Sequence, residues 1–267
     1  MPCRTGAWHD RRVPRPRTVR PQLPAEIGVH DGLSYSLWLP RSPEPPPGAV
    51  ITLHGAGSCK ENHYDFARAA TGAGLAAIAF DQRGHGDSQG PLDGGALDDV
   101  VAIAALLRSR LGGGDASPPV AVRGSSMGGY LALVSAAAVG AAAVVAICPA
   151  SNEGLRRGLS DGRFTFGADW PALDRFLADH DVAAAAGRLE VPVLLLHAEG
   201  DEQVPVEHSR ELAAVLRSPR SRLITLPGGH HQSIQHDGEM QAVSLRFISR
   251  VLERASPGRE QADPRPS

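Results

Sequence analysis

The sequence predicts an α/β fold: a mostly parallel eight-stranded sheet flanked by helices, with a short lid insertion. Three observations carry this expectation. Short apolar runs alternate with helical stretches between about residues 49 and 252, the pattern of a parallel sheet covered on both faces. A hairpin precedes them and adds antiparallel strands at one edge. Residues 151–190 then break the alternation without supplying a strand, and they are too long for a simple connection.

In chain order, the hairpin covers Glu26–Leu39 and turns at Asp31-Gly32, a strong two-residue turn signal. Ala49–Leu53 (AVITL) is a strand of the buried type, and Glu61–Gly72 is expected as a helix. Leu75–Phe80 is the next strand and Ala96–Arg110 an amphipathic helix. Val120–Val122 is a strand, followed by a helix of small residues over Met127–Val139. Ala142–Ile147 and Val193–Leu196 read as strands, Val206–Leu216 as a helix and Arg222–Leu226 as the last strand. A final helix over about 238–252 puts positions 243, 247, 248, 251 and 252 on one apolar face. The 151–190 insertion holds Phe164, Phe166, Trp170 and Phe176, and rings concentrated on the rim of a sheet suggest a lid over a pocket. Phe164, Phe166 and Trp170 are the candidate substrate contacts.

With 267 residues, 42% hydrophobic and 21% charged, the chain is neither disordered throughout nor fibrous. Its 27 basic and 29 acidic side chains make no case for a nucleic-acid partner. No apolar run reaches the roughly 18 residues of a membrane span. Three scattered cysteines fit neither a disulfide framework nor a zinc ribbon, and a cytoplasmic location is expected. Lys60 is the only lysine, so the abundant arginine reflects a compositional bias of the genome rather than a function. Residues 1–24 alternate Arg4, Arg11, Arg12, Arg15, Arg17 and Arg20 with prolines and lack the apolar core of a secretory signal. They read as a disordered tail, as do residues 256–267, which leaves a single domain over 25–255.

The sharpest chemical signal is Gly124-Ser125-Ser126-Met127-Gly128-Gly129, lying between a strand and a helix. Gly-x-Ser-x-Gly in that context lets the chain turn sharply and lifts the Ser126 hydroxyl above the carboxyl edge of the sheet. Ser125 is out of register with the glycines. A serine needs a base, and the base needs an orienting acid. Asp201 lies in the loop after the Val193–Leu196 strand, on the same edge of the sheet. Pro227-Gly228-Gly229-His230-His231 follows the last strand, and two glycines, one spacer and then the base favour His231 over His230. The order Ser126, Asp201, His231 is the order such an architecture requires. The Met127 and Ala56 backbone N–H groups are the candidate oxyanion donors, with His54 buttressing the Gly55-Ala56-Gly57 loop. That loop fails both glycine-rich phosphate patterns. The His230/His231/His236/Asp237 group lacks metal-ligand spacing, so neither a metal nor a cofactor is expected.

At these residues the chain resembles the α/β-hydrolase fold superfamily, in its lipase/esterase-like and serine-aminopeptidase-like branch, over about residues 25–253. The matching segments are HGAGS at 54–58, DQRGHGDS at 81–88, GSSMGG at 124–129, HAEGD at 197–201 and PGGHH at 227–231. The departures are Ala198, where glycine is usual, and the doubled histidine. The resemblance implies that the DQRGHGDS loop packs the floor of the site, leaving Arg83, His85 and Asp87 without a catalytic role. The expected activity is hydrolysis of a carboxylic ester with a small-to-medium apolar acyl group, the partners being that small molecule and water. A thioesterase, amidase or peptidase, or an acyltransferase would use the same residues. A non-catalytic ligand-binding homologue is the alternative of a different class.

Overall fold

The computed structural model describes residues 21–113 and 117–255. Of the two predicted tails, residues 1–20 and 256–267 lie outside the described residues. Gln22, placed by the sequence in the first tail, donates to the Leu39 carbonyl at 3.1 Å and accepts from the Thr71 hydroxyl at 3.2 Å.

Eight strands form one sheet: β1 (Glu26–His30), β2 (Leu33–Trp38), β3 (Ala49–Leu53), β4 (Ala76–Phe80), β5 (Val120–Ser125), β6 (Ala143–Ile147), β7 (Val193–Ala198) and β8 (Arg222–Leu226). Their spatial order is β1-β2-β4-β3-β5-β6-β7-β8. The β1–β2 and β2–β4 pairings are antiparallel and the remaining five are parallel. Asp31 and Gly32 both have positive φ, 50° and 80°, which suits the right-handed twist of the hairpin they close. The helices are α1 (Tyr64–Gly72), α2 (Ala96–Arg110), α3 (Met127–Val139), α4 (Asn152–Ser160), α5 (Trp170–Asp179), α6 (Val182–Ala186), α7 (Val206–Val215), α8 (Ser233–His236) and α9 (Gly238–Ala255).

Alternation along the strands divides the core in two. Ile51 and Leu53 point to one face, where α2, α3 and the helices of 151–190 pack, while Val50 points to the other, beneath α1 and α9. The predicted helix at 61–72 differs in its first turn, which is a 3₁₀ turn over Lys60–His63. Lys60 explains the difference. Its backbone N–H and its ammonium both donate to the buried Asp81, at 2.7 Å each, and this double anchor fixes the start of the segment. The 151–190 insertion is α4, α5 and α6 in succession, with Ser151, Asp169 and Asp181 capping the three N-termini.

The chain runs outward from β3 to β4, then crosses back to place β5 on the other side of β3. At that reversal the loops leaving β3 and β5 diverge and open a crevice at the carboxyl edge.

Candidate active site

β5 ends at Ser125 and α3 begins at Met127, so Ser126 alone makes the turn. Its φ of 55° and ψ of −119° are unusual for a residue with a side chain, and such strain costs roughly 1–3 kcal/mol. Three hydrogen bonds hold it. The Ser126 N–H donates to the Ile147 carbonyl at 2.9 Å, and the Ser126 carbonyl accepts from Tyr130 and Ala150, both at 3.0 Å. The glycines on either side are sterically required. A Cβ on Gly124 would lie 2.0 Å from the Gly128 carbonyl oxygen, and one on Gly128 would lie 2.2 Å from that of Leu53. The N-terminus of α3 can therefore sit against β3, its first N–H groups lacking helical partners.

Asp201 follows β7 and has no exposed side-chain surface. Its Oδ1 accepts from the N–H groups of Gln203 and Val204 at 2.8 and 2.9 Å. Its Oδ2 lies 2.7 Å from His231 Nδ1 and 3.4 Å from His197 Nε2. Burial alone would favour the neutral acid, but these hydrogen bonds outweigh it and hold the carboxyl well below the usual range. Gly200 brings this loop against the histidine loop, for a Cβ there would sit 2.4 Å from the Gly229 carbonyl oxygen. His231 is thereby oriented by Asp201, whereas the neighbouring His230 is exposed. Among the described residues, Ser126 Oγ makes no hydrogen bond to His231; such contacts commonly close only when substrate occupies the site.

Opposite Ser126 lies the loop after β3. Gly55 faces it closely, a Cβ there being 3.2 Å from that of Ser126. His54 is fully buried, lies 2.9 Å through Nδ1 from the Gly55 carbonyl, and accepts the Gln82 N–H through Nε2 at 2.9 Å. Burial lowers its pKa to about 4, so the ring is neutral. The loop after β4 braces the same segment. His85 Nε2 accepts the Gly57 N–H at 3.1 Å, and Lys60 bridges Asp81 and Asp87. Arg83 lies on the outer side, with its Nε donating to Asp99 at 3.0 Å.

Ser126, His231 and Ala56 line one cavity of about 690 Å³. The candidate lid residues separate. Phe164 lines this cavity, but Phe166 and Trp170 are not part of its wall. Backbone pairing is the reason. The Gly84 carbonyl accepts the Gly167 N–H at 3.1 Å, Leu92 N–H donates to Gly167 at 2.9 Å, and Leu92 bridges Ala168. This pairing pins residues 167–169 to the loop after β4, so Phe166 stacks on His85 at 4.3 Å and Trp170 packs on Phe166 with 39% of its surface exposed.

Sequence reasoning missed two groups at Asp201. His197 belongs to the HAEGD segment, and its position four residues before Asp201 was the available signal. Cys148, at the end of β6, has φ 42° and places its thiol within 4.8 Å of the nearest ligand atoms of Asp201 and His231. Burial raises the Cys148 pKa, which keeps the thiol protonated.

Two family models match the chain, one described as serine aminopeptidase, S33, over residues 44–164, the other as TAP-like protein over 163–249. The uncharacterized protein YfhR of Escherichia coli O157:H7 is 24% identical over 248 residues, covering 87% of this chain and 81% of its own. The crystal structure of the Paleococcus ferrophilus monoacylglycerol lipase superposes with a TM-score of 0.62 at 21% identity, covering 84% of this chain and 99% of that one. Est1E from Butyrivibrio proteoclasticus, with ferulic acid bound, gives 0.65 at 19% identity, covering 86% and 99%. Fold and solved neighbours agree that the chain has the α/β-hydrolase fold, and the two matched models together span residues 44–249.

Proposed function

We propose that this protein is a serine hydrolase that cleaves a carboxylic ester through an acyl-enzyme. The observation that supports this most strongly is one cavity wall holding both Ser126, on its strained turn, and His231, whose Nδ1 is bonded to the buried Asp201. With Nδ1–H directed at Asp201, His231 Nε2 is the nitrogen free to act as a base. Ser126 Oγ attacks the carbonyl carbon as its proton passes to Nε2, and the new oxyanion is received by the Met127 and Ala56 N–H groups. The imidazolium returns the proton to the departing alkoxide, which leaves as the alcohol. Water then attacks the acyl-enzyme, loses its proton to the same nitrogen, and the acid departs while Ser126 recovers its hydrogen. Asp201 remains ionised throughout, fixes the tautomer and stabilises the imidazolium. The free thiols at Cys59 and Cys148 suit the cytoplasm as the place where it works.

Hydrolysis of p-nitrophenyl butyrate tests the reading. Ser126→Ala should lose roughly 10⁶ in kcat, and a fluorophosphonate should label Ser126 in the wild type only. An unchanged rate in Ser126→Ala would remove the serine mechanism. Esters come before thioesters and amides because the neighbours with matching folds include a monoacylglycerol lipase.

A further inference from the structure

The lid was expected to shelter an apolar acyl group, yet most of its rings are already spoken for. Phe166 and Phe176 are buried, together with Leu92, Leu173 and Leu177, around a residual void of about 10 Å³. No room remains there for an acyl chain. Phe164 divides the two regions, lining both that filled cluster and the open cavity. In the open cavity the apolar surface reduces to short patches such as Ala56, Leu155, Phe164 and Val204.

The charged groups of that cavity are unevenly matched. Two arginines, Arg157 and Arg163, line it against one acidic residue, Glu202. Glu202 already accepts the His231 backbone N–H, at 3.4 Å. Arg163 pairs with Asp161 at 2.7 Å. Arg157 has no carboxylate partner among the described residues, although the adjacent Arg156 on the same helix pairs with Asp174 at 2.8 Å. Near Arg157, Gly158 of α4 lets the Phe164 ring pack onto the helix, for a Cβ there would meet that ring at 2.6 Å. His208 lines the opposite side from α7, and its buried Nε2 has no hydrogen-bond partner.

We infer that the substrate is a compact ester bearing an anionic group, carboxylate or phosphate, and that Arg157, with Arg163 beside it, recognises that group. The planar guanidinium offers two parallel N–H donors to either oxyanion. This inference rests on the reading of Ser126 as the nucleophile. Arg157 and Arg163 are specificity residues and take no part in the bond-breaking steps.

The test compares charged and neutral esters of similar size. The carboxylate arm sets the mono-p-nitrophenyl ester of adipic acid against p-nitrophenyl hexanoate. The phosphate arm sets monobutyryl glycerol phosphate against monobutyrin. In at least one arm the wild type should favour the anion by about tenfold in kcat/KM, and the preferred arm identifies the anion. Arg157→Gln should erase that preference while leaving the neutral ester within about twofold, Arg157→Lys should restore part of it, and added salt should shrink it. A neutral ester preferred in both arms would overturn the inference. So would an Arg157→Gln variant that slows charged and neutral esters alike, or a p-nitrophenyl series with its optimum at decanoate. Fluorophosphonate labelling of Ser126, run on the same preparations, reports on the nucleophile independently of charge preference.

Discussion

Asp201 Oδ2 lies between two imidazoles, and only one of them belongs to the proposed triad. His197 is fully buried, with Nε2 2.9 Å from the Val204 carbonyl as well as 3.4 Å from Asp201. Both neighbours are acceptors, so Nε2 carries the hydrogen, and the Ser209 hydroxyl can donate to Nδ1 at 2.6 Å. His197 is therefore a positioning residue for the acid. Replacing it with leucine should lower kcat about tenfold with little change in KM. It should also move the acid limb of kcat/KM to higher pH, because a less neutralised carboxylate holds the His231 proton more tightly. His197→Gln, which can place an amide N–H near the Nε2 position, should recover most of both effects. A loss of thermal stability without any movement of the acid limb would reduce His197 to a packing role. At this scale much was readable from the chain. Ser126 is marked by glycines at which a Cβ would collide with backbone atoms, and Asp201 by its place after β7. His197 was hidden because only the fold shows that this histidine, four positions before Asp201, turns its ring onto the carboxylate.

Elements were legible where one physical rule dominated. The bounds of α2 and α3 follow from an apolar face or a run of small residues between glycine-containing segments, and the structure places them where the periodicity does. The hairpin follows from Asp31-Gly32. Two segments answered to longer-range contacts. The 3₁₀ start of the 60–72 segment depends on a buried ion pair between Lys60 and Asp81, 21 positions apart. The course of residues 164–170 depends on backbone pairing with Gly84 and Leu92, which draws Phe166 away from the cavity and onto His85. An aromatic cluster in a sequence cannot say whether its rings face a ligand or one another. Here one of the three candidate rings, Phe164, reaches the cavity. His85 gains a task from this packing, because it joins the 151–190 insertion to the loop after β3 through Phe166 on one side and Gly57 on the other.

Across the whole molecule, the sheet order brings the pieces together. The reversal at β3 sets the loop after β3 beside the Ser126 turn, and β7 and β8 then deliver Asp201 and His231 along the same edge. Among the described residues, no helix is long and apolar enough to cross a membrane. The buried histidines supporting this edge make stability depend on pH. Burial depresses the pKa of His54 to about 4, and it also lowers those of His63, His85 and His208. An unfolded chain takes up these protons near the ordinary histidine pKa of about 6.5, whereas the folded chain resists them. Stability is thus fully present above that value and is lost as pH falls toward the folded-state values. His54 alone contributes on the order of 3 kcal/mol across the window from about 6.5 to about 4. Guanidinium melts at about pH 7.5 and about pH 4.5 should show the loss, and His54→Gln should flatten the slope. Equal stability at the two pH values would contradict this origin.

The central claim is that Ser126 acts with His231 and not with its neighbour. Steady-state hydrolysis of p-nitrophenyl butyrate by the wild type, Ser126→Ala, His230→Ala and His231→Ala tests it most directly. The geometry predicts that Ser126→Ala and His231→Ala each fall by roughly 10⁶ in kcat, while His230→Ala stays within a few-fold of the wild type. Retention of activity in His231→Ala with its loss in His230→Ala, or undiminished hydrolysis by Ser126→Ala, would contradict the account.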